Sequence, residues 1–322
     1  MKILIIGAGS IGRRHIGNLN SLGFMDVDIA DVDVVSLENV KNNYRIGHTF
    51  TDYRKAIASV KYDAALVLTP PVLHVPIALE LANKGIDLFI EKPLSNGLDG
   101  IDDLIKIKER SRIVAMVGYN QRFNFCLGLI KQAVDRGDLG KIYYIRAEFG
   151  QYLPDWRPTQ DYRKNYTARK DLGGGIIADA SHELDYVIWL AGGDVVKVLS
   201  MNDKLSLLDI DVEDFSEVVM QFDNRVVGSV HMNMIERGYN RYCKIIGEKG
   251  TIKWTLKDNS IEHYDGASEK TTIEKYSLDP NHSYMEEMKH FLSCVESRHE
   301  PASNLYTAKK VVELIKMIKE QS

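Results

Sequence analysis

The chain has 322 residues, of which 44% are hydrophobic and 27% charged, as in globular proteins large enough for two cores. Its 41 basic and 45 acidic residues give a net charge of −4, which argues against nucleic-acid and membrane partners. Three widely spaced cysteines predict reduced thiols in a cytoplasmic protein and no structural metal. The apolar run 3–6 is too short for a signal sequence or a membrane span.

A glycine-rich motif follows the first predicted strand, residues 2–6, and opens a helix predicted over residues 11–22. In this GxGxxG context the first glycine permits a tight turn and the second lets the backbone approach a pyrophosphate. The third lets helix and strand pack closely, with the phosphates at the helix N terminus. The residues expected to bind a dinucleotide here are Gly7, Gly9, Ser10, Ile11 and Gly12.

The second predicted strand, residues 27–30, ends at Asp31. This is the usual place for a carboxylate that accepts hydrogen bonds from the adenosine ribose, which favours NAD. Arg13 and Arg14 on the first helix are alternative phosphate ligands, so NADP stays open. A turn-initiating role for Asp31 is the other interpretation.

Strands and helices alternate up to about residue 120. Helices are predicted over residues 34–41, 52–59, 75–84 and 98–110, and strands over 48–50, 64–68, 86–90 and 113–117. Six strands predict a doubly wound parallel sheet of the Rossmann type in a first domain, residues 1–120. Thr69 and Pro70 end the fourth strand beside the cofactor crevice. His74 then lies either near the nicotinamide or, more commonly for a histidine at a helix start, in water.

Glu91-Lys92-Pro93 follows the fifth predicted strand. Ligands of doubly wound sheets bind at the carboxyl ends of the strands, so the Lys92 ammonium is expected in the ligand crevice. Taken alone, a charged triplet after a strand is as often an ordinary solvated strand end. We expect Glu91 to support Lys92 and Pro93 to fix the turn.

After residue 121 the pattern changes to a helix up to residue 136 and then mainly strands. These strands are predicted over 141–149, 195–201, 215–222, 225–234, 242–246, 251–255 and 261–264, and two helices, 283–297 and 305–320, follow. The pattern predicts a second α+β domain, residues 121–322, with a large open, mostly antiparallel sheet. One face of this sheet would expose apolar side chains to solvent unless a second copy covers them, namely Val218, Met220, Val230 and Met232. We therefore expect a homodimer or homotetramer.

Three glycines, 173–175, precede an apolar segment that predicts a helix with a polar stripe. Asp179 and His182 are three residues apart and would share a helix face, which Asp185 continues. Burial of such groups is costly unless they pair or face a wet cleft, so the stripe is expected to line a catalytic site. A core histidine bonded to acids of its own helix is the alternative.

The ordered motifs GAGSIG, Asp31, TPP with His74, EKP, GYNQRF at 118–123 and GGG followed by Asp179 and His182 resemble the Gfo/Idh/MocA oxidoreductases over nearly the whole chain. The resemblance implies that Lys92 and the Asp179/His182 pair work on a sugar or polyol hydroxyl. The commoner family spacing is Asp-x-x-x-His, one residue longer than here. His182 is therefore the safer assignment, and Glu183 or Asp185 are alternatives for the acid.

The loop over residues 151–170 mixes aromatic and basic side chains, and it resembles a subgroup of this family linked to surface-polysaccharide sugars. Rings stack on sugars and guanidinium groups bind carboxylates or diphosphates, so the loop suits an acidic or nucleotide-linked sugar. An oligomer-contact arm is an equal alternative. The residues expected to contact substrate are Tyr119, Asn120, Arg122, Trp156, Arg157 and Arg163.

The resulting hypothesis is an NAD-dependent dehydrogenase acting on a secondary hydroxyl or ketone of a sugar, polyol or nucleotide-linked sugar. A free imidazole, with a pKa of about 6.5, suits a general base, whereas a lysine pKa would have to fall by about three units. His182 is therefore the expected base and Lys92 the cation that stabilises a developing alkoxide. A non-catalytic dinucleotide-binding sensor and a sugar–sugar oxidoreductase with tightly held NADP remain as alternatives.

Overall fold

The computed structural model describes residues 1–321, which form two compact units. Unit 1 comprises Met1–Tyr119 and Ser283–Val312, and unit 2 comprises Asn120–His282 and residues 313–321. The sequence predicts that everything after residue 120 belongs to the second domain, whereas the structure groups residues 283–312 with unit 1. Phe291 in that segment packs edge-on against Phe89 of the first sheet, with 5.6 Å between ring centroids. This buried aromatic contact ties the segment to unit 1.

The helices agree with the predicted ones to within a few residues, except near residue 180 and at the short helix α7, which lies in a predicted loop. They are α1 (Ser10–Ser21), α2 (Val34–Asn43), α3 (Tyr53–Ser59), α4 (His74–Ala82), α5 (Ile101–Ser111), α6 (Phe125–Asp135), α7 (Leu153–Trp156), α8 (Ile176–Asp179), α9 (Ser181–Ala191), α10 (His282–Ser297) and α11 (Leu305–Lys319). Short 3₁₀ segments occupy Pro71–Leu73, Asn120–Phe123, Tyr162–Lys164, Tyr166–Ala168 and Lys170–Leu172. Within residues 1–321, no helix combines the length and apolar character that crossing a membrane requires.

Unit 1 is built on a parallel sheet. Its strands are β1 (Ile3–Ile6), β2 (Val27–Ala30), β3 (Thr49–Phe50), β4 (Ala64–Val67), β5 (Asp87–Ile90) and β6 (Ala115–Val117). They pair in the order β3-β2-β1-β4-β5-β6, which confirms the predicted doubly wound sheet. Strands β1, β2, β4 and β5 are buried along their whole length, as expected where helices cover both faces. The strand order reverses between β1 and β4, so the ligand crevice opens at their carboxyl ends.

Unit 2 contains an eight-stranded sheet. Its strands are β7 (Ile142–Gly150), β8 (Val195–Asp203), β9 (Phe215–Phe222), β10 (Val227–Asn233), β11 (Asn240–Gly247), β12 (Gly250–Thr255), β13 (Ser260–Asp265) and β14 (Lys270–Lys275). They pair in the order β14-β13-β12-β11-β7-β10-β9-β8, and only β7 and β10 run parallel, which confirms a mostly antiparallel sheet. The sequence missed β14 because every residue of this strand is exposed and no apolar alternation marks it.

One face of the unit 2 sheet is covered by helix α9 of the same chain. The expectation that Val218, Met220, Val230 and Met232 need a second copy to cover them is wrong, because all four are already buried within the chain. Val187 of α9 comes close enough to β10 that a Cβ on Gly228 would lie 3.1 Å from its Cγ1. The apolar side chains of these strands form the core between sheet and helix.

The opposite face of this sheet combines an ion network with an apolar margin. Arg146 lies near the centre, and its Nε donates to the Tyr242 hydroxyl at 3.1 Å. Towards the β8 edge the same face carries Leu199, Met201 and Val219, whose exposed fractions are 58%, 70% and 42%. This margin holds the exposed apolar side chains that the sequence argument assigned to the other face.

His15 of α1 is fully buried in unit 1. Its ring meets Phe89 and Tyr284 edge-on, with centroids 5.1 and 6.2 Å away. Within residues 1–321 neither ring nitrogen has a hydrogen-bond partner. Burial, with a smaller contribution from Arg14, lowers the pKa of His15 to about 3. The folded protein therefore holds this imidazole neutral across the physiological range.

We expect His15→Phe to flatten the loss of stability in mild acid. The unfolded chain takes up a proton at residue 15 below about pH 6.5, whereas the folded chain does so only near pH 3, so stability falls as the pH drops through this window. Unfolding in urea at several pH values should show a slope smaller by about 1.4 kcal/mol per pH unit. The exposed His299→Phe is the control, and equal slopes for both variants would contradict the assignment.

Candidate active site

A cleft of about 620 Å³ opens at the carboxyl ends of β1, β2 and β4 in unit 1. Gly7 has a φ of 110°, and a Cβ there would lie 2.5 Å from the Leu68 carbonyl oxygen. A Cβ on Gly12 would lie 2.1 Å from the Gly7 carbonyl oxygen, so the turn requires both glycines. At Gly9 a Cβ would meet nothing within 4 Å. That open space at the N terminus of α1 fits a pyrophosphate, as the motif predicts.

Asp31 lines the same cleft and is held by backbone donors. Its Oδ2 accepts a hydrogen bond from the Ala8 N–H at 2.6 Å, and its Oδ1 accepts from the Asp33 N–H at 2.8 Å. These bonds fix the carboxylate between the glycine-rich turn and the end of β2. A carboxylate fixed there can accept hydrogen bonds from ribose hydroxyls but repels a 2′-phosphate.

The arginines near the cleft have partners within unit 1. Arg54 lines the cleft, and Glu80 accepts its Nη2 and Nε donors at 2.6 and 3.0 Å. Arg13, which the sequence offers as a phosphate ligand, donates to the Ala8 carbonyl at 3.1 Å. Arg14, the other such candidate, stacks on an aromatic ring 4.3 Å from its guanidinium carbon. With Asp31 fixed in the cleft, this arrangement favours NAD over NADP.

Lys92 lies two residues beyond Ile90, the last residue of β5, and it is half-buried. Its backbone N–H donates to Oε2 of Glu91 at 2.7 Å, so the glutamate carboxylate holds the start of the turn. Pro93 is buried, and the Lys92–Pro93 peptide bond is cis. The predicted role of Glu91 as a support for Lys92 stays a prediction, and the bond to the Lys92 backbone is consistent with it.

His74 is fully buried at the first position of α4, so the interpretation as a water-exposed histidine is wrong. Its Nδ1 lies 2.8 Å from the Pro93 carbonyl oxygen and its Nε2 lies 2.7 Å from the Thr69 carbonyl oxygen. Burial, more than the nearby Lys92 charge, lowers the pKa of His74 to about 4. The ring joins the loop after β4 to the loop that carries Lys92.

The segment after the three glycines is two helices rather than one. Helix α8 ends at Asp179, and α9 begins at Ser181, with Ala180 between them at φ −87° and ψ 24°. The sequence argument that Asp179 and His182 share one helix face therefore does not apply. Asp179 is half-buried at the end of α8, and His182 is 8% exposed at the second position of α9.

Asp179 is held by Tyr166, whose hydroxyl donates to its Oδ1. The glycine turn brings the two together, because the N–H groups of Gly174 and Gly175 donate to the carbonyls of Arg169 and Thr167 at 3.0 Å each. Sequence reasoning missed Tyr166 because a separation of 13 residues across a loop follows no helix or strand period.

Glu183 and Asp185, the alternatives for the acid, are both committed to buried ion pairs. Arg241 of β11 donates to the Glu183 carboxylate at 2.6 and 3.1 Å. Arg122 donates to Asp185 at 2.7 and 2.8 Å, although the sequence predicts that it binds substrate. Both carboxylates are fully buried, so these pairs hold α9 in place. Neither Glu183 nor Asp185 therefore remains available as the acid.

The remaining substrate-binding candidates differ in their surroundings. Tyr119 and Asn120 are buried. Trp156 is half-buried, and its indole N–H donates to the Gln151 carbonyl at 3.0 Å. Arg163 is exposed and pairs with Asp161 two residues earlier, at 2.8 and 2.9 Å. Arg157 is half-buried at the end of the short helix α7.

The sequence did not predict a role for Arg237, although it predicted Arg122, Arg157 and Arg163 as substrate ligands. Arg237 follows β10, and its guanidinium carbon lies 3.6 Å from the ring centroid of Tyr152. An aromatic ring in the loop was a possible signal, but its partner lies 85 residues later and no spacing rule connects them.

Two family profiles match the chain. Residues 1–119 match an oxidoreductase family with an NAD-binding Rossmann fold, and residues 128–253 match the GFO/IDH/MocA C-terminal domain. The chain belongs to the Gfo/Idh/MocA oxidoreductase family. The resemblance predicted from the ordered motifs is thereby confirmed.

Individual members of the family are distant in sequence. The chain is similar to myo-inositol 2-dehydrogenase of Thermotoga maritima, with 26% identity over 313 residues that cover 94% of this chain and 90% of the relative. It also resembles levoglucosan dehydrogenase solved with NADH and levoglucosan, with a TM-score of 0.90, 18% identity and coverage of 100% and 96%. The WlbA dehydrogenase of Bordetella pertussis, solved with NADH and UDP-GlcNAcA, gives a TM-score of 0.82, 22% identity and coverage of 99% and 95%. At these identities the structural likeness confirms the fold.

Family membership identifies the dinucleotide as NAD, in agreement with the prediction from Asp31. The unit 1 cleft fits this cofactor through the space at Gly9 and the fixed Asp31 carboxylate. Within residues 1–321, no group of three or more His, Cys, Asp or Glu side chains is placed to hold a metal ion.

We expect Arg122→Met to destabilise the protein by about 3–5 kcal/mol, because it leaves the Asp185 carboxylate buried without its cation. Removing the charge as well, in Arg122→Met with Asp185→Asn, should recover a large part of the loss. Urea unfolding followed by circular dichroism measures both. Arg136→Met, which breaks an exposed pair with Asp138, is the control and should change stability much less. A loss for Arg122→Met no larger than for this control would contradict the role of the buried pair.

Proposed function

We propose that this protein is an NAD-dependent dehydrogenase that interconverts a secondary hydroxyl and a ketone on a sugar, a polyol or a nucleotide-linked sugar. The observation that carries the proposal is Lys92, an ammonium group at the carboxyl end of β5 in an NAD-binding unit, with its backbone held by Glu91. Membership in an oxidoreductase family supports the reaction type. The relatives named as inositol and levoglucosan dehydrogenases support the substrate class.

In this proposal each side chain has one task. Bound NAD⁺ supplies the acceptor for the hydride. Lys92 donates a hydrogen bond to the reacting oxygen and stabilises the negative charge that grows there. His182 takes the hydroxyl proton, because an imidazole titrates near neutral pH whereas a lysine does not. Asp179, which accepts a hydrogen bond from Tyr166, is the carboxylate that orients the His182 imidazole and stabilises its protonated form.

The ring and guanidinium groups of unit 2 support a substrate with several hydroxyl groups or an acidic group. Arg237 stacks on Tyr152, and Trp156 keeps a half-buried ring next to Phe149 with centroids 5.6 Å apart. Arg157 is the arginine of this loop best suited to an anion, because Arg163 is already neutralised by Asp161. A nucleotide-linked sugar acid, like that in the WlbA complex, fits this set alongside plain polyols.

A substrate screen tests the proposal. Purified protein with NAD⁺ is offered inositols, levoglucosan, sugar acids and nucleotide-linked sugars, and NADH formation is followed by absorbance. For the substrate that reacts, we expect Lys92→Met and His182→Asn to lower kcat by about 10²–10⁴-fold with little change in NAD affinity. The reason is that each variant removes a group that acts on the reacting oxygen.

Lys84→Met is the matched control, because Lys84 is exposed before the amino end of β5 whereas Lys92 follows its carboxyl end. This variant should keep kcat. NAD binding without turnover of any substrate would favour the non-catalytic sensor. Protein that carries NADP through purification and passes hydride between two sugars would favour the sugar–sugar oxidoreductase. Full kcat in Lys92→Met would remove its assigned role.

We also propose that the chain forms a homodimer or homotetramer through the sheet face that carries Leu199, Met201 and Val219. Exposed apolar side chains in register on one face are typical of an interface between copies. The apolar margin lies beside the ion network around Arg146, so this face offers both apolar and polar contacts.

Light scattering at micromolar concentration should return a dimer or a tetramer, and Met201→Glu should lower the mass because it places a charge in the interface. The control is Ile273→Glu on the exposed strand β14, which lies at the far edge of the sheet. A monomeric wild-type protein would contradict the proposal. If the wild-type protein is an oligomer and Met201→Glu leaves its mass unchanged, the interface lies on another surface.

A cytoplasmic location is part of the proposal. Cys126, Cys243 and Cys294 are free and buried, as expected where thiols are kept reduced. Burial raises the pKa of Cys126 to about 11, so this thiol is protonated and inert at neutral pH.

A further inference from the structure

His74 sits between two loops that have different tasks in unit 1. Its Nε2 lies 2.7 Å from the carbonyl oxygen of Thr69, which lines the dinucleotide cleft. Its Nδ1 lies 2.8 Å from the carbonyl oxygen of Pro93, the residue after Lys92. Both partners are hydrogen-bond acceptors, and neither carbonyl has a proton to give.

The ring has only one proton to offer them. Burial lowers the pKa of His74 to about 4, so the imidazole is neutral at pH 7 and carries a single N–H. When Nδ1 carries the proton, the ring donates to Pro93 and its Nε2 lone pair faces the Thr69 oxygen. When Nε2 carries the proton, the ring donates to Thr69 and its Nδ1 lone pair faces the Pro93 oxygen. The two bonds are therefore alternatives, and each tautomer holds one loop.

We propose that His74 is a positioning residue that couples the dinucleotide cleft to Lys92 through its choice of tautomer. The Nδ1–H tautomer fixes the turn that presents the lysine, and the Nε2–H tautomer fixes the loop at Thr69. Anything that moves the Thr69 carbonyl, such as a dinucleotide in the cleft, changes which tautomer is favoured. That change is passed to the Pro93 carbonyl next to Lys92. The functional side of this inference rests on the proposed role of Lys92.

Two substitutions separate the two bonds. An asparagine amide nitrogen replaces Nδ1, since both atoms are bonded to Cγ, and a glutamine amide nitrogen replaces Nε2, since both lie one atom further out. His74→Asn therefore keeps the donor to Pro93 and loses the donor to Thr69, and His74→Gln does the reverse. His74→Leu removes both donors at similar volume.

We expect the effects on kcat and NAD affinity to separate. His74→Gln should lower kcat by about five- to tenfold while keeping the Kd for NAD, measured by fluorescence titration. His74→Asn should weaken NAD binding by about five- to tenfold while keeping kcat, and His74→Leu should show both losses. The exposed His299→Asn is the control and should behave as wild type. Equal effects of the Asn and Gln variants on both quantities, or a His74→Leu protein with wild-type kcat and Kd, would overturn the proposal.

A measurement on the wild-type protein tests the proposal even when the His74 variants fail to fold. Nitrogen NMR of ¹⁵N-histidine-labelled protein, with the His74 ring assigned through bond from the backbone, should show a neutral ring with an N–H protected from exchange. Addition of NAD⁺ should shift its two ring nitrogens in opposite directions as the tautomer population changes. A ring that does not respond to NAD⁺ would overturn the coupling. The NMR and Kd results do not depend on turnover, so failure of the proposed dehydrogenase activity is distinguishable from failure of this inference.

Discussion

Much of this structure depends on one constraint, that a polar group taken out of water must find a partner or lose its charge. Helix α9 shows the first solution. It carries two fully buried carboxylates, Glu183 and Asp185, and each receives a bidentate guanidinium, from Arg241 and Arg122 respectively. These pairs fix the rotation of α9 against its sheet, and the position of His182 on its first turn follows from them.

Unit 1 shows the second solution, in which the group stays neutral. His15 and His74 are buried imidazoles whose pKa values burial lowers. Glu287 of α10 is a buried carboxyl group whose pKa burial raises, with a further contribution from the negative charge of Glu91. The Oε2 atom of Glu91 in turn accepts the Lys92 N–H.

The sequence predicted the fold well because its signals were local. GxGxxG after a strand, Asp31 at the end of the next strand and apolar runs at regular spacing determine the order of the parallel sheet without distant information. The strand β14 lacked such a signal because it is exposed on all sides. The prediction of what covers this face of the unit 2 sheet was wrong for another reason. Period-two alternation shows that Val218 and Val230 share a face, but it does not show which element covers that face.

The candidate site was predicted less completely because its contacts are long-range. Arg122 looked like a substrate ligand in its motif, and only the fold reveals that Asp185 already binds it. His74 looked like a solvated helix start, yet the carbonyls of Thr69 and Pro93 enclose it. The pair of Asp179 and His182 is the clearest case. A count of residues between two side chains determines their relative direction only while the helix between them is continuous. Here the helix breaks at Ala180, so the helical spacing rule does not apply to these two side chains.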